Sequence, residues 1–161
     1  MRALILAALS ALVMTAYAYA APIPPTYTIS EDFGGRLDEY EHKYNRWSRE
    51  GAKVILDGIC GSACTVVLST KYNLDVCATD RAEVLFHMPF MLDKHMKLVD
   101  TPYNRALAMV IWHDHFLRVL PPKMAAVLEK KKIPSVYEGA EYNEMIGWKA
   151  PDLFKHVKPC N

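Results

Sequence analysis

The chain has 161 residues, which is enough for one ordinary domain with a single hydrophobic core. Its 19 Lys and Arg residues nearly balance its 18 Asp and Glu residues, giving a formal net charge of +1. Nucleic acids and anionic membrane surfaces attract proteins with a basic excess, so this balance argues against both as the main partner.

The first twenty residues have the three-part layout of a secretory signal peptide. Arg2 precedes an apolar run from Ala3 to Val13, and the segment ends in the small-x-small pattern Ala18–Ala20. An uncleaved membrane anchor is the alternative, but the apolar run is shorter than the roughly 18 to 20 residues that cross a bilayer. We therefore expect residues 1–20 to be removed, leaving residues 21–161 as an exported domain, periplasmic or secreted, without a stable membrane span.

The chain contains four cysteines: Cys60, Cys64, Cys77 and Cys160. An even number in an exported chain indicates disulfide bonds, and the sequence leaves all three pairings open. A zinc site is the alternative, but no CxxC pair is present. We expect no metal and no cofactor.

The predicted elements begin with an extended, proline-rich segment over residues 21–29. Apolar and aromatic residues then recur at helical spacing, which predicts a helix that Gly51 closes. The run from Lys53 to Asp57 is apolar and β-branched, as in a buried strand. A tight turn leads into a second helix with Ser62 at its mouth.

Two short strands are predicted next, over residues 75–78 and 82–87. Thr101 and Pro102 form an N-cap and first-turn pair that opens a long helix. Further along, the sequence predicts a helix over residues 122–132, a short helix over residues 141–146 and a last strand over residues 153–157. Helices interleaved with strands predict an α/β fold with a largely parallel sheet.

Ser62 is the first candidate for chemistry, because it lies between a buried strand and a helix. A helix N-terminus offers free N–H groups and a positive dipole end, and both stabilise an anion. The small neighbours Gly61 and Ala63 give a substrate backbone room to approach. The alternative is that Ser62 is only a helix N-cap.

Two further signals accompany Ser62. His87 ends an apolar strand, where an imidazole can act as a general base, or it can be an ordinary core or surface histidine. Gly34 and Gly35 open a helix after an extended segment, where a free N–H can face a ligand, or where an ordinary turn can form.

Taken together, these motifs resemble the ClpP/crotonase superfamily, and in particular its small exported members. EDFGG is similar to the family's Gly-Gly turn, GSAC to its small-x-Ser-small nucleophile motif, and His87-Met88-Pro89 to its His-x-Pro motif. Their order and separations also agree with the family. The resemblance covers about residues 28–152, and it implies a single small domain of β-β-α spiral units that is reduced at its N-terminus.

The resemblance implies a serine peptidase acting on peptides or proteins, usually as a homo-oligomer. Ser62 would be the nucleophile and His87 the general base, with the amides of Gly35 and Ala63 forming the oxyanion hole. The family's orienting Asp has no counterpart here, since Ser135 stands at that position.

The carboxylates nearest to that position are Glu138 and Glu141, which we name as candidate orienting acids. Without that Asp, a non-catalytic binding or assembly protein of the same fold is the alternative hypothesis. A disulfide-braced domain unrelated to hydrolases is the third.

Overall fold

A five-stranded sheet forms the centre of the structure, a computed structural model that describes residues 23–160. The predicted signal peptide and its cleavage site lie outside these residues. The sheet and its helices make one small mixed α/β domain. The strands are β1 (Thr26–Asp32), β2 (Lys53–Gly61), β3 (Asp75–Ala78), β4 (Glu83–Phe86) and β5 (Ile146–Lys149).

β2 is the central strand because it pairs with three others. β1 runs parallel to it on one side, where Asp32 lies opposite Cys60. On the other side β2 pairs in parallel first with β3 and then, from Ile59 to Gly61, with β4. β5 runs antiparallel to β4, so the sheet is mixed rather than wholly parallel.

In the described part of the chain, three α-helices accompany the sheet: α1 (Leu37–Arg49), α2 (Pro102–Trp112) and α3 (Pro122–Leu128). α2 continues into a π-helical turn over His113–Leu117, and β2 runs directly into a 3-10 helix over Ser62–Leu68. Among residues 23–160, no helix has both the length and the apolar character that a membrane span requires.

The apolar face of α1 packs on the sheet through its aromatic residues. Tyr44 and Trp47 are buried, and the Tyr27 ring of β1 stacks on Trp47 with ring centroids 4.2 Å apart. On the β4 side, Phe86 meets Trp112 of α2 in an edge-to-face contact. These aromatic contacts bury large areas and hold both helices against the sheet.

Both pairs of cysteines are disulfide-bonded, as the even count predicted. Cys60 is joined to Cys64, with Cα atoms 5.3 Å apart, and Cys77 to Cys160, with Cα atoms 5.0 Å apart. The first bond closes a short ring around Ser62. The second ties β3 to the C-terminal segment.

The early elements agree with the sequence predictions, with small shifts at their ends. The helix closed by Gly51 is confirmed as α1, and the strand at residues 75–78 as β3. β2 extends four residues further than predicted, to Gly61, because β4 pairs with its second half. Of the predicted extended segment, residues 26–29 belong to β1, which continues to Asp32.

The predictions near the C-terminus were wrong in two places. Residues 141–146 form a turn and the start of β5 rather than a helix, because Gly147 allows close pairing with β4. A Cβ at Gly147 would lie 1.7 Å from the Val84 carbonyl oxygen.

Residues 153–157 hold a 3-10 helix, Asp152–Lys155, rather than a strand. Leu153 and Val157 are both buried, and their i, i+4 spacing fits one face of a helical turn. α3 also ends at Leu128, short of the predicted residue 132.

Candidate active site

Ser62 lies at the point where β2 ends and the 3-10 helix begins. Its φ is +53°, which side chains other than glycine rarely adopt and which costs about 1 kcal/mol. Two hydrogen bonds hold the turn that follows. Thr65 Oγ1 donates to the Ser62 carbonyl at 2.7 Å, and the Tyr44 hydroxyl donates to the Cys64 carbonyl at 2.9 Å.

The Gly34 turn packs directly against Ser62. Gly34 has φ +86°, and a Cβ built on it would lie 2.6 Å from Ser62 Cβ and 2.8 Å from the Ala63 nitrogen. Only glycine fits at this approach. The structure therefore brings the turn after β1 and the turn after β2 into contact.

Gly35 and Ala63, which follow the two contacting residues in the chain, have backbone N–H groups without a partner in the described residues. Gly34 N–H donates to Asp32 Oδ1 at 3.0 Å, whereas Gly35 N–H has no acceptor within residues 23–160. Ala63 lies in the first turn of the 3-10 helix, where N–H groups have no partner within the helix. The sequence predicts an oxyanion hole at these two amides, and that role stays a prediction.

Asp32 holds this turn in place, a role that the sequence analysis missed. Its carboxylate accepts hydrogen bonds from Gly34 N–H and the Tyr40 hydroxyl, and Lys43 Nζ lies 3.3 Å away. The Asp-x-Gly spacing of an Asx-turn was the available signal. The Asp32 carboxylate thus holds the backbone of the Gly34 turn, and Lys43 lies beside that carboxylate.

His87 follows β4 at the same edge of the sheet as Ser62. Gly61 and Leu85 are paired across the parallel strands β2 and β4. Ser62 follows Gly61 directly, and His87 comes two residues after Leu85, so both lie just beyond this pair. The carboxyl ends of β1, β2 and β4 thus carry Gly34, Ser62 and His87 respectively, which is where parallel sheets form their sites.

The ring of His87 is held by a backbone carbonyl. Its Nδ1 lies 2.7 Å from the Met88 carbonyl oxygen, which only accepts hydrogen bonds, so Nδ1 carries the proton. In the neutral ring, Nε2 then has a free lone pair. Burial lowers the pKa of His87 below its ordinary value, outweighing the opposing effect of the Met88 carbonyl.

No hydrogen bond joins Ser62 to His87 in the described part of the chain. The two candidate orienting acids do not contact the His87 ring nitrogens either. Glu138 is exposed and lies 3.6 Å from Lys132 Nζ, and the exposed Glu141 makes no side-chain hydrogen bond to any residue in 23–160. The place of an orienting carboxylate at Nδ1 is taken by the Met88 carbonyl.

Met145 borders the site, and the sequence analysis did not select it. A Cβ on Gly61 would lie 3.2 Å from Met145 Sδ, so this thioether covers the residue before Ser62. Met145 directly precedes β5, whose Ile146 pairs with Phe86. Only the antiparallel pairing of β5 with β4 brings it here.

An aromatic pair extends from His87. The His87 and Phe90 rings lie 5.3 Å apart, and Phe90 meets Tyr142 edge to face, also at 5.3 Å. Phe33, just before Gly34, is 56% exposed. The edge of the sheet around Ser62 is therefore rich in apolar side chains.

Neither a protein-family model nor a curated protein sequence matches this chain. In residues 23–160, no group of three or more His, Cys, Asp or Glu side chains is placed to hold a metal ion.

Proposed function

We propose that this protein is an exported serine hydrolase related to the ClpP/crotonase superfamily, and most specifically a peptidase. The contact of the Gly34 turn with Ser62 carries the proposal. In this contact the strained turn that carries the Ser62 hydroxyl packs against the Gly34 turn, at an edge of the sheet that also bears a histidine. The neighbouring Gly35 and Ala63 have N–H groups without a partner among residues 23–160. The paired cysteines are compatible with the oxidising compartment that export implies.

In the proposed reaction, His87 Nε2 accepts the proton of the Ser62 hydroxyl as Ser62 Oγ attacks the scissile carbonyl carbon. The carbonyl oxygen becomes an oxyanion, and Gly35 and Ala63 N–H groups donate hydrogen bonds to it. The C–N bond then breaks, and protonated His87 gives its proton to the leaving amine. Water, deprotonated by His87, hydrolyses the acyl-enzyme in the same way.

The Met88 carbonyl does part of the work of the missing acid. It fixes the tautomer that leaves Nε2 free, which is one role of the Asp in a catalytic triad. A neutral carbonyl stabilises the imidazolium less than a carboxylate does. We therefore expect catalysis slower than that of a complete triad.

A bond between Ser62 Oγ and His87 Nε2 must form when substrate binds. Catalytic hydrogen bonds are often long in the free enzyme and tighten in the complex. Ser62 has a single side-chain torsion, χ1, and rotation about it changes the direction of its hydroxyl.

Labelling with an alkyl fluorophosphonate tests the proposal, since this reagent reacts with activated serines. We expect the oxidised protein to be labelled at Ser62, as located by peptide mass spectrometry. Ser62→Ala abolishes labelling, whereas Ser30→Ala, an exposed serine in β1, leaves it unchanged. Absence of labelling, or labelling that persists in Ser62→Ala, would contradict a hydrolase.

A non-catalytic binding protein of the same fold is the second candidate. The observation favouring it is that, among residues 23–160, no carboxylate bonds to the His87 ring and no hydrogen bond joins His87 to Ser62. This candidate predicts no labelling and no effect of Ser62→Ala on the protein's cellular role.

A further inference from the structure

A polar cavity lies away from the Ser62 edge of the sheet. It has a volume of about 270 Å³ and is bordered by α1, the 3-10 helix and the π-helical turn. This volume is slightly below the roughly 300 to 1,000 Å³ of sites for drug-sized ligands, so only a small ligand would fit. π-Helical turns are rare and occur frequently at functional sites.

A carboxylate and a histidine in this cavity are joined by a hydrogen bond. His115 Nδ1 lies 2.9 Å from Glu41 Oε1, so the neutral ring carries its proton on Nδ1 and leaves a lone pair on Nε2. Within residues 23–160, His115 Nε2 and Glu41 Oε2 have no partner. The pair thus offers two unused acceptors.

Two cations border the same cavity. Lys71 Nζ lies 3.6 Å from Glu41 Oε1, and Arg118 Nη1 lies 3.3 Å from Asp114 Oδ1. A guanidinium has five N–H donors and an ammonium three, so each cation keeps donors free for an anion. A carboxylate is the anion that the planar guanidinium binds best in a bidentate way.

The Tyr72 side chain adds an unsatisfied group. It lines the cavity and is 1% exposed, and its hydroxyl has no hydrogen-bond partner in the described residues. Burial first, and then the charge of Glu41, raise the pKa of Tyr72 to about 12, so the hydroxyl stays protonated. Unpartnered buried hydroxyls are uncommon in proteins.

We propose that this cavity binds a small α-amino acid with a short apolar side chain. Lys71 and Arg118 bind its carboxylate, and Glu41 Oε2 and His115 Nε2 accept hydrogen bonds from its ammonium. Val66 and Val119 form an apolar wall for its side chain. The inference is independent of the proposed hydrolase, because none of these residues belongs to the Ser62 site.

Titration of the ¹⁵N-labelled mature protein with L-valine and L-alanine, followed by NMR, tests the inference. We expect saturable shifts, in the millimolar range, in the amides of residues 69–72 and 114–119. Lactate lacks the ammonium and isobutylamine lacks the carboxylate, so neither reproduces the shifts. Shifts elsewhere, no saturation with either amino acid, or an equal response to lactate or isobutylamine would overturn the inference.

Matched variants show whether the named groups bind the ligand. Arg118→Gln and Glu41→Gln each weaken binding about tenfold or more, as expected for a lost charge-assisted hydrogen bond. The control is Arg105→Gln, which leaves binding unchanged. Arg105 is an exposed residue of α2 that pairs with Asp100. His115→Gln weakens binding, whereas His95→Gln does not, since His95 is exposed and does not line the cavity.

Arg118 is 67% exposed, so its substitution leaves the fold intact. Unchanged affinity in both Arg118→Gln and Glu41→Gln would overturn the assignment.

Discussion

Gly34 lies so close to Ser62 that a side chain on Gly34 would overlap Ser62 Cβ. The Asp32 carboxylate fixes the Gly34 N–H, and the disulfide Cys60–Cys64 closes the ring around Ser62. The backbone of both turns is thus held by a hydrogen bond and a covalent bond. The proposed oxyanion hole needs such preorganisation of the backbone.

Gly34→Ala should abolish fluorophosphonate labelling, because its Cβ would overlap Ser62 Cβ and the Ala63 nitrogen. Gly139→Ala is a matched control: Gly139 has a similar φ of +90°, but nothing lies within 4 Å of its added Cβ. We expect the control to cost only the backbone strain, about 1 kcal/mol of unfolding free energy, and to keep its labelling. Equal labelling of both variants would contradict the packing of Gly34 on Ser62.

The pH dependence of labelling should report the ionisation of His87. Because burial lowers its pKa below the ordinary 6.5, the ring is neutral at pH 7 and the base is available. The labelling rate should therefore rise with pH, with its midpoint below 6.5, and be nearly constant above pH 7. His87→Gln should be labelled slowly and without this pH dependence, whereas His42→Gln, at an exposed residue, should behave like the wild type. A wild-type midpoint above pH 6.5 would refute the assignment to His87.

The two disulfides connect elements at very different distances along the chain. Cys60–Cys64 joins the end of β2 to the first turn of the 3-10 helix, with a sequence separation of 4. Cys77–Cys160 joins β3 to the C-terminal segment, with a separation of 83. Chain entropy predicts different roles for them, since the cost of closing a loop grows with its length.

Paired Cys-to-Ala variants separate these roles. Removing Cys77–Cys160 should lower the unfolding free energy by about 4.5 kcal/mol and removing Cys60–Cys64 by about 2 kcal/mol, on the chain-entropy model. Chemical denaturation measures both. When both variants are folded, without denaturant, the variant lacking Cys60–Cys64 should lose most of its fluorophosphonate labelling. The variant lacking Cys77–Cys160 should keep it. The reverse pattern would show that the short ring does not position Ser62.

At the scale of the whole molecule, burial of two histidines links stability to pH. Desolvation lowers the pKa of His87 and of His156, so the unfolded chain binds more protons than the folded one as pH falls through about 6.5. The unfolding free energy should be flat above about pH 7.5 and decline as the pH drops below 6.5. Asp57 and Asp114 have lowered pKa values, so their contribution is lost only further into the acid range.

Urea unfolding at a series of pH values measures this decline. The double variant His87→Gln/His156→Gln should show a flatter profile between pH 7.5 and 5 than the wild type. His42→Gln, with its exposed ring, should follow the wild type. A wild-type profile that stays level through this range would contradict the burial of both rings.

By itself, the sequence determined the features that depend on near neighbours. The aromatic spacing that makes α1, the apolar run of β2 and the use of cysteines in disulfides are all readable locally. So are the Ser62 turn between strand and helix and the Gly-Gly turn after β1. Short-range backbone preferences decide these features, and they act within a few residues.

Only the tertiary structure decided which of these segments meet. Contacts between distant parts of the chain decide three features: the position of Met145 over Gly61, the pairing of the cysteines and the antiparallel course of β5. Residues 141–157 show the reason: their apolar pattern fits more than one element, and pairing with β4 selects among them. Hydrophobic periodicity records which face is buried, but not the partner that buries it.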